Sequence, residues 1–243
     1  MATTHNSLAA LFDDIADAMR EKFGLSRTMK ADDFPQIIRD SVMLPPTFQR
    51  CEWIESHGTE FIQTLWSRNS EGWEWYLEFW CPTDPSGNIL GNEYGTGSRL
   101  CWHADTWLCG SAPGWASYSG TRYGDWNTLY CKFKDKKFSM NGVVTAFRAT
   151  PSTEPGKPTA IFARSYNSNA YTDFFTGKIR RYISHKDDVK INDFIPCYLK
   201  TAWNGIPAGT IGMYDLCGSI SNNGTPFYTN EGTGAFTKGP DVT

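Results

Sequence analysis

The pattern of hydrophobic positions changes near residue 45 and divides the chain into a helical part and a β-rich part. In the first part, apolar residues recur every three or four positions, the spacing of amphipathic helices. This spacing predicts one helix over residues 7–22, closed by Gly24, and a second from Asp33 to just before Pro45. The apolar stripes consist of Leu8, Leu11, Phe12, Ile15 and Met19 in the first helix and Phe34, Ile37 and Ile38 in the second.

Helices this short need a surface on which to bury their apolar stripes. The large domain of the same chain, further copies of the segment, or a larger assembly would each provide one. No sustained heptad repeat is present, so the segment does not specify a coiled coil.

From Phe48 onward, short runs of aromatic and β-branched residues alternate with Gly, Pro, Asn and Ser, which is typical of β-strands. The predicted strands are Cys51–Glu55, Phe61–Leu65, Trp73–Trp80, Arg99–His103, Asn127–Phe133, Lys137–Met140, Val143–Arg148, Thr159–Ala163, Phe174–Ser184 and Thr210–Asp215. Asn141–Gly142 predicts a two-residue hairpin turn. The fold expected is mainly β, an antiparallel two-sheet sandwich or jelly roll preceded by two short α-helices.

These patterns predict three segments: a helical module over residues 1–44, a Pro-rich linker over 45–47 and a β domain over 48–243. A length of 243 residues fits one large domain with a small appendage. The linker is recognised by Pro45 and Pro46, which end the second helix.

Charge and hydropathy exclude several classes of partner. The chain has 23 basic and 26 acidic residues, a net charge of −3, and so lacks the cationic surplus that binds phosphate backbones. We therefore expect no nucleic-acid partner. No apolar run is long enough for a membrane helix, and the first residues lack a secretion signal. We expect neither a membrane partner nor a signal peptide.

The seven cysteines are widely spaced, and no C-x-x-C pair occurs among them. An odd, scattered set argues against a zinc site and against a full disulfide framework. We expect free thiols that behave as small hydrophobic residues.

A cluster of aromatic residues between positions 102 and 126 is the candidate ligand-binding site. It lies among Gly, Ser, Asp and Asn and consists of Trp102, Trp107, Trp115, Tyr118, Tyr123 and Trp126. Aromatic rings stack on the apolar faces of sugars, while the small polar residues bind hydroxyl groups. The same composition suits a protein interface, or rings that fill a core poor in aliphatic residues.

Three sequence blocks resemble a known family. They read CEWIESHGTEFIQT at 51–64, GKIRRYISHKDDVKINDFIPC at 177–197 and YDLCGSISNNGTPFYTNEGTGAFTKG at 214–239. In content and order they resemble the concanavalin A-like, laminin-G-like jelly-roll domains of tail-associated and other surface proteins of bacteriophages and prophages of gut bacteria. The N-terminal segment LAALFDDIADAMREKFG…MKADDFPQII resembles a small helical module of phage structural proteins.

The resemblance implies a protein at the virion surface or tail, synthesised in the cytoplasm of the bacterial host. Residues 1–44 would attach it to other phage particle proteins, and the jelly roll would bind a glycan or another host-surface feature. Tail adhesins commonly act as trimers, so a homo-oligomer is one expected state. The alternative is a structural or decoration protein that contacts only other particle subunits.

Catalysis is not expected. Glycosidases that share this jelly roll place alternate acidic residues on one strand, E-x-D-x-E, and this chain has no such pattern. Glu74 and Glu78 come closest, and we predict that they lie on the solvent side of a strand whose other face carries Trp75, Leu77 and Phe79. No G-x-S-x-G motif is present.

No cofactor or metal is expected beyond one structural ion that the resemblance implies. Laminin-G-like modules often bind calcium through loop carboxylates. The loop candidates in this chain are Asp84, Asp105, Asp125 and Asp173.

Overall fold

The computed structural model describes residues 12–17, 44–65, 72–91, 98–103, 106–111, 116–118, 121–146, 158–166 and 170–242. The chain divides into two compact units, residues 1–45 and residues 46–242. Residues 12–17 form a helix, inside the first predicted helix. On this helix Ala16 is buried, and Phe12 and Ile15 of the predicted apolar stripe are exposed.

The remaining predicted attachment residues, Leu8, Leu11, Met19, Phe34, Ile37 and Ile38, lie outside the described residues, as does the second predicted helix. Of the two predicted helices, the described part of the chain shows one short helix, and the second stays a prediction. Among these residues, no helix has the length and apolar character needed to span a membrane.

The second unit is built from two large sheets and a hairpin. The eleven strands of the large sheet are β1 (Phe48–Arg50), β2 (Ile54–His57), β4 (Trp73–Cys81), β9 (Asp125–Lys132), β10 (Lys137–Met140), β11 (Val143–Ala146), β15 (Thr176–Lys186), β16 (Val189–Leu199), β17 (Ile211–Asp215), β18 (Phe227–Thr229) and β19 (Thr237–Lys238). The six-stranded sheet contains β3 (Ile62–Gln63), β5 (Asn88–Gly91), β6 (Ser98–His103), β7 (Thr106–Ser111), β8 (Ala116–Tyr118) and β12 (Ala160–Ile161). Strands β13 (Arg164–Tyr166) and β14 (Ala170–Thr172) form the hairpin.

The two large sheets share one hydrophobic core. The large sheet has the order β11-β10-β9-β4-β15-β16-β17-β18, with β2 and β19 added at β15 and β1 at β16. The smaller sheet has the order β3-β12-β5-β6-β7-β8. Trp75 and Phe79 of the large sheet lie in the same buried cluster as Ile89, Leu100 and Ile161 of the smaller one. The predicted mainly-β fold with large antiparallel sheets is therefore confirmed.

Strand β4 shows how the sequence pattern sets the two faces of the large sheet. Trp75, Leu77 and Phe79 are buried, while the alternate residues Tyr76 and Glu78 are half-buried on the other side. This matches the two-residue period of a strand with one face against the core. The predicted hairpin is also confirmed: Met140 pairs with Val143, and both turn residues have positive φ, 52° at Asn141 and 83° at Gly142.

Strand β16 is a correction to the sequence prediction, which has no strand over Val189–Leu199. Its residues 192–197 are all buried, so the alternation that reveals a half-buried strand is missing. Pro196 also argues against a strand in the interior of a sheet. Pairing of β15 ends at Phe194, and pairing of β1 begins at Cys197. The proline lies at the junction between these partners, where its missing N–H leaves the ladder intact.

Four of the cysteines behave as core residues: Cys51, Cys131 and Cys197 are buried free thiols, and Cys81 is buried with them. Burial raises the pKa of the Cys51 thiol to about 12, so the thiol stays protonated at neutral pH. Cys217 is exposed and free.

Candidate functional site

Of the six aromatic residues predicted to bind a ligand, the five that the structure describes are distributed over two sheets and a turn. Trp102 on β6 pairs in register with Trp107 on β7, and Trp107 pairs with Tyr118 on β8. These three positions form one row across the smaller sheet. Tyr123 is exposed in the turn before β9, and Trp126 lies on β9 of the large sheet. Trp115 lies outside the described residues.

The outer face of the large sheet, meaning the face opposite the core, is rich in aromatic rings that the chain's own cations cover. The Lys178 Nζ atom lies 4.3 Å from the ring centroid of Trp53 and 4.9 Å from that of Trp80. The Arg180 guanidinium lies 4.6 Å from the ring centroid of Trp126. These are cation–π distances, so the rings already have partners within the chain.

The carboxylates on this face are also engaged. Glu74 accepts hydrogen bonds from the Tyr130 hydroxyl and from Lys132, the latter at 2.7 Å. Glu78 accepts from Tyr76 and Arg180. Both glutamates lie opposite Trp75, Leu77 and Phe79, as predicted, and Glu78 is half-buried there. The prediction of a solvent-side position is wrong for Glu74, which is buried with Tyr130 and Lys132 bonded to it.

A pocket of about 480 Å³ lies elsewhere in the β unit, where three distant segments meet. It is lined by Thr59, Phe61, Gln63, Tyr171, Phe174, Glu231, Gly232 and Thr233. Its lining combines three aromatic rings with three hydroxyls, one amide and one carboxylate. This volume falls within the usual range of small-molecule sites.

The aromatic wall of the pocket is a stacked arrangement anchored in a small satellite core. The rings of Phe61 and Tyr171 are stacked, with centroids 3.9 Å apart and an interplanar angle of 26°. The centroid of Phe174 lies 6.1 Å from that of Phe61. Asp173 lies between Tyr171 and Phe174 in the chain and has a φ of 52°, a conformation that Asp tolerates. Its carboxylate pairs with Arg164 at 2.8 Å, which holds this turn.

The second wall begins in the turn after β2, which the buried Glu60 carboxylate organises. Glu60 is 3% exposed and accepts hydrogen bonds from the backbone N of His57 at 2.7 Å and of Thr59 at 3.3 Å. The hydroxyls of Ser56 and Thr59 donate to it at 3.1 Å. Burial by itself raises the pKa of Glu60, but these hydrogen bonds outweigh it and hold the pKa below its usual value of 4.5.

The loop 230–234 closes the pocket and is tied to this turn. The Asn230 side-chain oxygen accepts from the backbone N of Phe61 at 3.1 Å, and the backbone N of Glu231 donates to the Phe61 carbonyl at 2.9 Å. A Cβ at Gly232 would lie 1.9 Å from the Thr59 carbonyl oxygen. A Cβ at Gly234 would lie 1.9 Å from Oε1 of Glu60. Only glycine permits this approach of the two segments.

The polar groups of the pocket are oriented by these contacts. Burial, together with the charge of Glu231, raises the pKa of Tyr171 to about 12, so its hydroxyl stays protonated and donates to the Gln63 side-chain oxygen. The amide N–H groups of Gln63 are left as donors, and the Glu231 carboxylate is an acceptor. Rings beside such donors and acceptors suit a sugar, whose C–H faces are apolar and whose edges carry hydroxyls.

The sequence prediction misses this pocket. Two of the three segments that line the pocket lie in the sequence blocks at 51–64 and 214–239. SHGTEFIQ contains Thr59, Phe61 and Gln63, and TNEGTG contains Glu231 to Thr233. In both segments, glycines next to threonine and glutamate indicate a tight turn with polar side chains, and this was a signal for a binding site. Nothing in the sequence alone links them to Tyr171, on strand β14 of a separate hairpin, or to Phe174, which follows that strand.

The calcium candidates that the structure describes, Asp84, Asp125 and Asp173, do not form a group of ligands. Asp173 pairs with Arg164, and Asp125 accepts from the backbone N of Trp126 at 2.7 Å. Asp84 lies in the turn after β4, and Asp105 is outside the described residues. Within the described ranges, no three His, Cys, Asp or Glu side chains are arranged to hold a metal ion.

Comparison with known proteins adds no assignment. No protein-family model matches the chain, and no curated protein is significantly similar to it in sequence.

Proposed function

We propose that this chain is a non-enzymatic surface protein of a bacteriophage particle, located at the virion surface or tail. In this proposal the β unit is a concanavalin A-like jelly roll that binds a glycan of the host surface. Two N-terminal helices in residues 1–44 attach it to other particle proteins. The blocks at 51–64 and 214–239 support this assignment, because both resemble phage jelly-roll domains and both contribute to the pocket.

The observation that carries the glycan-binding part is the composition of the pocket. The rings of Tyr171 and Phe174 are half-buried, so part of each remains available to a ligand. The Gln63 amide and the Glu231 carboxylate stand beside them. Stacking plus hydrogen bonding to an edge is how proteins bind sugar rings. On the outer face of the large sheet, by contrast, the corresponding groups are occupied by the chain itself.

The carboxylates support a binding role without catalysis. Glycoside hydrolysis needs two carboxylates about 5–10 Å apart, one on each side of the scissile bond. Glu231 is the one carboxylate among the lining residues. The neighbouring Glu60 is buried and accepts four hydrogen bonds that hold its own turn.

The test is binding of the purified full-length protein to a glycan array and to gut bacterial surfaces. Tyr171→Ala removes one wall of the pocket. Trp126→Ala is the matched control, because it removes an aromatic ring from the outer face of the large sheet. We expect saturable binding that falls at least about tenfold in Tyr171→Ala, since truncating a central aromatic residue of a binding site costs on the order of 2 kcal/mol. Trp126→Ala should bind as the wild type does.

A second pair of variants tests the row on the smaller sheet. If Trp102→Ala and Trp107→Ala abolish binding while Tyr171→Ala retains it, the glycan site is that row and the pocket assignment is wrong. Absence of binding to every glycan and every cell surface would overturn the adhesin proposal as a whole.

One observation favours a second candidate, a structural or decoration protein. Strand β11 stands at the end of the strand order in the large sheet, and its Val143 and Val144 are 55% and 61% exposed. An exposed apolar edge strand is a template for pairing with another chain. Under this alternative Val144→Lys reduces incorporation into particles, and Tyr171→Ala has no effect on host binding.

A further inference from the structure

Glu231 is the one charged residue among those that line the pocket. It is exposed, and its carboxylate forms no ion pair with any residue in the described part of the chain. Its charge reaches the aromatic wall, since it contributes to the raised pKa of Tyr171. A ligand stacked on Tyr171 therefore lies in the field of an uncompensated carboxylate.

The backbone of the loop that carries Glu231 is held by hydrogen bonds. Asn230 donates to the carbonyl oxygens of Gly232 at 3.3 Å and Gly234 at 2.6 Å, and its side-chain oxygen accepts from the backbone N of Gly232 at 2.8 Å. The backbone N of Glu231 itself is bonded to the Phe61 carbonyl. The loop is thus fixed before a ligand arrives, which limits the entropy lost on binding.

Among the lining residues that the structure describes, none is a cation that would neutralise this charge. The nearby Arg164 pairs with Asp173 behind the aromatic wall. The other polar groups are neutral: the Gln63 amide offers N–H donors, and the Thr59 hydroxyl already donates to Glu60 at 3.1 Å. The pocket therefore presents apolar rings, neutral donors and one negative acceptor.

Resting on the proposed function, we infer that this pocket selects sugar residues that carry no acidic group. Neutral hexoses and amino sugars fit, because their hydroxyl or amino groups donate to Glu231 while a ring face stacks on Tyr171. Uronic and sialic acids are excluded, because their carboxylates would stand beside the Glu231 carboxylate at low ionic strength. Like charges brought together in this way oppose binding.

The test compares a neutral polysaccharide with a uronic-acid polysaccharide of matched linkage, each immobilised, against full-length wild type and Glu231→Gln at low ionic strength. We expect the wild type to bind the neutral polymer at least about tenfold more tightly, the effect of one like-charge contact at a few ångströms in a protein environment. In Glu231→Gln the acidic polymer should gain affinity until the two differ by less than about threefold.

Asp187→Asn, in the turn between β15 and β16, is the control for net charge and should keep the wild-type preference. Equal binding of both polymers by the wild type, or an unchanged preference in Glu231→Gln, overturns this inference and leaves glycan binding intact. Absence of binding to every polymer overturns the proposed function and this inference with it. Unchanged thermal unfolding of Glu231→Gln shows that the variant is folded.

Discussion

The outer face of the large sheet and the pocket contain the same kinds of residue. On the sheet face these residues bind one another, whereas in the pocket some of them remain available to a ligand. On the sheet face, Lys178 and Arg180 cover indole rings, and Glu78 is bonded to Tyr76 and Arg180. In the pocket, Tyr171 and Phe174 stand beside a carboxylate that has no ion partner in the described residues. Aromatic and acidic composition is alike in both places, and the availability of these groups differs.

This difference shows why aromatic clusters in a sequence are poor guides to binding sites. On the exposed face of a sheet, each ring has side-chain neighbours on the adjacent strands. These neighbours pack against the ring and occupy its surface. Loops that converge from three parts of the chain leave a concave surface. There, ring faces and polar groups remain available to contact a ligand. The predictions below test this contrast in order of expected size.

Glu60→Gln should have the largest effect. The carboxylate accepts hydrogen bonds from His57, Thr59 and Ser56, and an amide NH₂ would face some of these donors. We expect the free energy of unfolding in urea to fall by about 3 kcal/mol, as for a buried charged group that loses its partners. The exposed Glu52→Gln should change it by less than about 0.5 kcal/mol.

This contribution depends on pH with a defined sign. Because the folded pKa of Glu60 lies below its ordinary value of 4.5, its stabilisation is complete above pH 4.5 and is lost as the pH falls through the folded pKa. The difference in unfolding free energy between wild type and Glu60→Gln should therefore shrink in acid. A difference that stays constant on acidification contradicts this assignment.

Gly232→Ala tests whether close approach of the loop builds the pocket. The new methyl would meet the Thr59 carbonyl at 1.9 Å, so the loop must move, at a cost of about 1–3 kcal/mol. Glycan binding should be lost. Gly224→Ala is the control: it has a φ of 76° and open space around its Cβ position. It should lose about 1 kcal/mol of stability through backbone strain and bind normally.

Tyr171→Phe separates the ring from its hydroxyl. The stacked ring remains, while the hydrogen bond to the Gln63 oxygen is lost, so the amide is less firmly oriented. We expect about threefold weaker glycan binding by titration, which corresponds to one neutral hydrogen bond of about 0.7 kcal/mol. A loss as large as that of Tyr171→Ala would show that the hydroxyl, rather than stacking, dominates recognition.

Arg180→Ala should have the smallest effect. It removes the guanidinium over Trp126 and the ion pair with Glu78, both on the surface. Exposed interactions of this kind contribute about 0.5 kcal/mol each, and glycan binding should be unchanged. Measured binding that falls with Arg180→Ala would mean that the sheet face, contrary to the comparison above, takes part in recognition.

The sequence by itself was sufficient to predict the mainly-β class, the position of β4 and the hairpin at Asn141–Gly142, because these depend on local alternation and turn chemistry. It was insufficient for β16, since a strand buried on both faces loses its alternation and Pro196 argues against it. The tertiary structure alone brought Phe61, Tyr171 and Glu231 together. Their contacts join segments more than a hundred residues apart or on separate hairpins, and such contacts follow from sheet pairing and loop closure, which no local pattern records.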